Sequence, residues 1–190
     1  MRVPARILVI AAGLALMPTA AQANVGIPTI IVVMPIMVLS LIPIILLEAY
    51  IYRRRLGVSG GRSGKVATVS NLVSTFLGIP IAWALMVVMQ GVSGAGRPYD
   101  LDTLSGKVLS FTLQAPWLIP HDNANWLLPA AGLVLMVPFF FASWWSEYLV
   151  ARRMLRDHER PAVWLATRNA NLTSYALLAL WPFIGLAVTL

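Results

Sequence analysis

The sequence predicts an all-α fold: a polytopic membrane protein with four transmembrane helices, arranged as two repeated hairpins after an N-terminal signal peptide. Three observations lead there. The 190-residue chain is 59% hydrophobic and only 11% charged, with a mean hydropathy of +0.79. A soluble domain of that length cannot hide so much apolar surface, so lipid must be part of its solvent. Lysine and arginine gather in two of the three connections between long apolar runs. A spacing also recurs ninety-nine residues apart, as EAYIYRRRL from Glu48 to Leu56 and EYLVARRML from Glu147 to Leu155.

Residues 1–23 read as a signal peptide. Arg2 and Arg6 precede the apolar stretch 7–17, Pro18 breaks it, and Ala21-Gln22-Ala23 matches a small-x-small cleavage site before Asn24. If the segment were kept, it would add a fifth span without reversing the rest. The first hairpin then occupies 24–92, an extracytoplasmic connection 93–125, and the second hairpin 126–190. The apolar runs are 27–51, 67–92, 126–150 and 169–190; a bilayer needs roughly 20 residues. Each must be helical, because lipid offers no partner to free backbone groups. Prolines at 35, 43, 80, 129, 138 and 182 favour kinks, either as ordinary transmembrane residues or as hinges.

Charge sets the direction. Connection 52–66 carries Arg53, Arg54, Arg55, Arg62 and Lys65, and connection 151–168 carries Arg152, Arg153, Arg156, Arg160 and Arg168. Connection 93–125 carries only Arg97 and Lys107. Ten against two places both basic turns in the cytoplasm, with Arg53, Arg54, Arg55, Arg152 and Arg153 as the main topology signals. The expected location is a bacterial inner membrane, with both mature termini outside. The net charge of +7 is thereby accounted for without nucleic acid.

The repeat extends beyond the glutamates. ATVSNLVST (67–75) faces ATRNANLTSY (166–175), with one residue inserted. Two hairpins of the same orientation are expected to pack about an axis along the membrane normal. Glu48 lies about 7 Å inside the basic boundary, and Arg53 sits about 140° around the helix from it. A salt bridge within the helix is therefore not a design the two copies share. The returning helix offers partners instead. Asn71, Ser74 and Thr75 share one face, and Asn171, Ser174 and Tyr175 repeat the spacing. The expectation is a Glu–Asn/Ser contact inside each hairpin just below the cytoplasmic surface. Such a carboxylate is costly unless partnered, hydrated or protonated. Three roles compete: a structural clasp, a proton or cation relay, and simple snorkelling. A small-residue stripe at Ser70, Ser74, Gly78 and Ala82 predicts close helix approach.

In the outer connection, Leu101, Leu104, Val108, Phe111 and Ala115 recur at helical spacing. They predict an interfacial helix capped by Asp100 or Asp102, weakened by Gly106 and flanked by Trp117 and Trp126. His121-Asp122-Asn123 is too small a set for a metal, and reads as a polar turn. GVSGGRSGK (57–65) lacks phosphate-loop spacing and reads as a flexible turn. With no cysteine and no catalytic constellation, the sequence points to no enzyme, cofactor or metal.

Glu48-Ala49, the basic turn with Leu56, and Asn71-Leu72-x-Ser74-Thr75-x-x-Gly78 together resemble the FraC family of small filament-integrity membrane proteins. The resemblance covers about 30 residues. It implies a non-enzymatic role in a membrane assembly. The expected function is a structural or accessory subunit whose partners are the bilayer and other membrane proteins or its own copies. The alternative is a small transporter or channel using the intramembrane Glu and Asn positions.

Overall fold

The computed structural model describes residues 29–92, 99–113 and 126–189. The signal segment, Trp117, the 121–123 turn, and the side chains of 29–37 and Ala82 lie outside the described residues. The described residues are all-helical, in five helices: α1 (Thr29–Leu56), α2 (Gly60–Val92), α3 (Leu104–Leu113), α4 (Leu127–Met154) and α5 (Arg160–Thr189). Two of them, α4 and α5, are long and apolar enough to cross a membrane. The four long helices form a ring in which α1 packs on α2, α2 on α4, α4 on α5 and α5 on α1.

Each long helix runs past the apolar limit read from the sequence. Helix α1 continues through Arg53–Arg55 and α4 through Arg152 and Arg153, where cations meet the negative end of the helix dipole. The turns shrink to 57–59 and 155–159, so most of the stretch read as a flexible glycine-rich turn is the start of α2. Local chemistry explains both boundaries. Gly57 adopts φ +67° and returns its N–H to Arg53 O at 3.0 Å, the left-handed stop that glycine permits. Ser59 then caps α2, with Oγ accepting from Arg62 N at 3.4 Å. In the second turn Leu155 closes α4 on Ala151 O, and Pro161 sits in the first turn of α5, where its missing N–H costs nothing. Helix continues through Pro80, Pro138 and Pro182.

The turns are tied to each other. Arg62 grips the Asp157 carboxylate with both terminal nitrogens and donates to Met154 O at 3.1 Å. That grip holds the Asp157 carboxyl well below the usual range and raises Arg62. His158 Nε2 reaches Leu56 O at 3.1 Å. Behind the turns lies the apolar core, built on Tyr52, Val66, Ala67, Ala151, Leu155, Val163, Ala166 and Ala170. Aromatics zip α4 to α5, with Trp164 in contact with Trp144, Trp145 and Tyr148. Away from that end the distribution is inverted: Leu39, Ile42, Phe76, Trp181 and Val188 point outward while serines and asparagines sit inside.

Helix α3 differs from expectation in its cap. Its cap is Thr103, whose Oγ1 accepts from Gly106 N at 3.1 Å, whereas the Asp100 carboxylate is occupied by Asp102 N at 2.9 Å. A cap must reach the N–H three residues on, and only Thr103 stands at that distance. Leu104 and Val108 face outward, and Gly106 and Ser110 are the buried positions. Gly106 is required there: a Cβ would collide with the Asp100 carbonyl. Gly106→Ala should therefore push 99–103 off the helix, raising amide exchange in that segment by about tenfold while leaving the bundle's melting temperature nearly unchanged. Unchanged exchange at 99–103 would show the contact to be unimportant.

Candidate functional site

The site is built where α1 and α4 bring their glutamates together across the ring. Glu48 lies one helical turn from Tyr52, at the far edge of the apolar core, and is 1% exposed; Glu147 is 2% exposed. The two carboxyl groups line one and the same cavity. Among the described residues the ion pairs are those of Asp157 with Arg62 and His158, so no cation neutralises the glutamates.

Each carboxyl is held at both oxygens. Asn71 Nδ2 donates to Glu48 Oε2 at 2.6 Å, and Asn171 Nδ2 donates to Glu147 Oε2 at 2.7 Å. These contacts stay inside a hairpin. The serines cross between hairpins instead. Ser74 Oγ lies 2.9 Å from Glu147 Oε1, and Ser174 Oγ lies 2.8 Å from Glu48 Oε1. The expectation of a serine contact within each hairpin is thus replaced by an exchange. Its cause is the ring order: α2 packs on α4 and α5 on α1, so one face of α2 meets both glutamates. The asparagines are braced by their own helices, through Ala67 O at 3.0 Å and Thr167 O at 3.2 Å.

The serines are adaptable. Each hydroxyl also faces an asparagine carbonyl one turn back at 3.1 Å, Ser74 that of Asn71 and Ser174 that of Asn171. A hydroxyl has one proton, so it can give that proton to the carbonyl and accept from a protonated carboxyl. Asn171 Oδ1, also buried, has no hydrogen-bond partner among the described residues.

The reciprocity stops one turn closer to the loops. Tyr52 Oη donates to Thr167 Oγ1 at 2.9 Å, whereas the matching positions are alanines: Ala151, ninety-nine residues on from Tyr52 as Glu147 is from Glu48, and Ala67, whose carbonyl braces Asn71 as that of Thr167 braces Asn171. One tyrosine fills the space between the halves and its counterparts are small. The sequence reading passed over Tyr52, although a tyrosine facing an alanine between otherwise similar segments marks it.

On its other side the carboxyl pair faces a cavity of about 320 Å³. Glu48, Asn71, Ser74, Glu147 and Ser174 form its polar end, and Thr75 and Tyr175 line it as well. The remaining wall is mostly apolar, from Leu41, Leu135, Phe139 and Pro182 among others, with Ser40 and Ser143 set in it. Tyr175 Oη lies 3.0 Å from Ser143 Oγ. Of the small-residue stripe, Ser70, Ser74 and Gly78 are buried, and Ser70 donates to Val66 O at 2.8 Å. The topology arginines stand apart from this site, exposed at the turn end, with Arg54 over Tyr50 and Arg152 over Tyr148.

No family model matches the chain, and no curated protein or solved structure does so either.

Proposed function

We propose that the protein is a non-enzymatic inner-membrane protein of four spans in two repeated hairpins, with basic turns in the cytoplasm, acting as a structural or accessory subunit of a membrane assembly. One observation carries this reading: each buried carboxyl group joins the two hairpins, through Glu48 with Ser174 and Glu147 with Ser74. Outward apolar side chains surround that clasp, leaving a lipid-compatible surface for neighbours. The FraC-like stretch in the first hairpin suggests the same kind of role.

A second reading, a small transporter or channel, is favoured by the cavity that ends on the carboxyl pair. Two ionised carboxylates there would need a proton or a cation between them. Asn171 Oδ1 adds an open acceptor.

The two readings separate on one comparison. The full-length protein and its Glu48→Gln/Glu147→Gln variant would be purified in mild detergent with their partners identified, and proton flux measured in liposomes. A subunit brings the same membrane partners in fixed proportion from both proteins and conducts nothing. Purification of the chain alone, with a proton flux that the glutamine variant loses, would sink the subunit reading.

A further inference from the structure

The two turns look alike in sequence but end differently in charge. In the first turn Arg62 is committed to Asp157 of the second. Asp157 is thereby spent on Arg62 and on His158 Nδ1, 3.3 Å away. What remains is a cavity of about 260 Å³ bounded by Arg152, Arg153, Arg156, Arg160 and His158. Leu155 and Val163 complete its lining, and no carboxylate lines it.

Several of these side chains are already positioned. Arg156 Nε donates to Arg153 O at 3.1 Å. Arg152 lies over the Tyr148 ring, 5.8 Å from its centroid. His158 is fixed through Leu56 O. Arg160 opens α5, where the helix dipole adds positive potential. Four guanidiniums line one cavity with no carboxylate in its lining, Asp157 meeting it only through His158 at 3.3 Å, and an anion relieves their mutual repulsion. Guanidinium forks match phosphate oxygens in pairs. A basic concavity at the cytoplasmic end of a helix bundle also stands at headgroup level.

We propose that this cavity is a binding site for a phosphate-bearing anion, supplied by an anionic phospholipid headgroup or by a soluble phosphate ester. The proposal rests on the membrane placement given above, but not on the choice between subunit and transporter. Leu155 and Val163 supply an apolar floor beneath the phosphate.

The test uses the full-length protein in neutral detergent, with phosphatidylglycerol, phosphatidylcholine and glycerol phosphate as probes and native mass spectrometry as the readout. Phosphatidylglycerol should be retained about tenfold better than phosphatidylcholine. Arg156→Gln with Arg160→Gln should lose about tenfold of that binding, while Arg54→Gln with Arg55→Gln, the same charge removed outside the cavity, should lose under about twofold. Should the first pair fail to fold, Arg156→Lys with Arg160→Lys keeps the charge and is still expected to lose about threefold, because lysine lacks the fork. Glycerol phosphate that displaces the lipid assigns the site to the phosphate alone; failure to displace it assigns the site to the lipid. Equal losses from the two glutamine pairs, or no preference for the anionic lipid, would overturn the proposal. Neither result touches partner recovery or proton flux, so this proposal can fail without the functional reading.

Discussion

Glu147→Ala is expected to destabilise the folded protein by about 2–4 kcal/mol, and Glu48→Ala by a similar amount. Each change removes the acceptor for two buried donors, Asn171 Nδ2 and Ser74 Oγ in one case, Asn71 Nδ2 and Ser174 Oγ in the other. It also enlarges the existing cavity. Glu147→Gln should cost under about 1 kcal/mol, because its amide oxygen can face Asn171 and its NH₂ can face Ser74. Ser74 then accepts, and sends its own proton to Asn71 O, 3.1 Å away. Reversible unfolding in mixed micelles would measure these differences. A double-mutant cycle between Ser74→Ala and Glu147→Ala should return a coupling of about 0.6–1.7 kcal/mol, the range for hydrogen bonds between membrane helices. Zero coupling would mean that the crossed contact does not join the hairpins. Glutamine as damaging as alanine would mean that charge, rather than hydrogen bonding, is what the site needs.

Tyr52→Ala should cost about 3–5 kcal/mol, in the range seen when a large buried aromatic is truncated. Tyr52 is fully buried, and its neighbours Ala67, Ala151, Ala166 and Ala170 are too small to fill the gap. Ala151→Tyr alone should also destabilise, by about 1–3 kcal/mol, because the space is already occupied. Exchanging the roles of the halves is the sharper experiment. Tyr52→Ala with Ala151→Tyr moves the ring to the matching position, and Ala67→Thr with Thr167→Ala moves its hydroxyl partner. If the hairpins are repeats about a common axis, the fourfold variant should recover more than half of the stability lost in Tyr52→Ala. A loss equal to the sum of the single changes would argue against the repeat. The same unfolding assay reads it, and the glutamate network above it is left untouched.

What could be read from the chain follows from local rules. Apolar run length and backbone satisfaction in lipid give long helices, and rise per residue puts Asn71 at the depth of Glu48. Each Asn–Glu pair joins neighbouring helices across a short turn, so sequence distance limits the alternatives. The crossed serines had no such limit. Whether Ser74 meets Glu48 or Glu147 depends on which helices are adjacent in the ring, and connectivity alone is silent about that. The same holds for Arg62, an unremarkable topology charge until folding sets it against Asp157. The apolar side of α3 is the one that helical spacing marks. Apolar periodicity finds the side that avoids water, and where lipid is the solvent that side can turn outward, leaving Gly106 and Ser110 to meet the bundle.

By itself, the sequence determined an apolar, helical chain with two basic turns and a carboxylate placed one helical turn inside each. Tertiary structure alone decided that the two carboxyl groups share one site, that each is held by both hairpins, and that one tyrosine serves a space shared by two halves. The physical reason is range. Helix formation and charge distribution act over neighbouring residues, whereas a buried carboxyl is satisfied by whichever donors the packing brings within about 3 Å, wherever they lie in the chain.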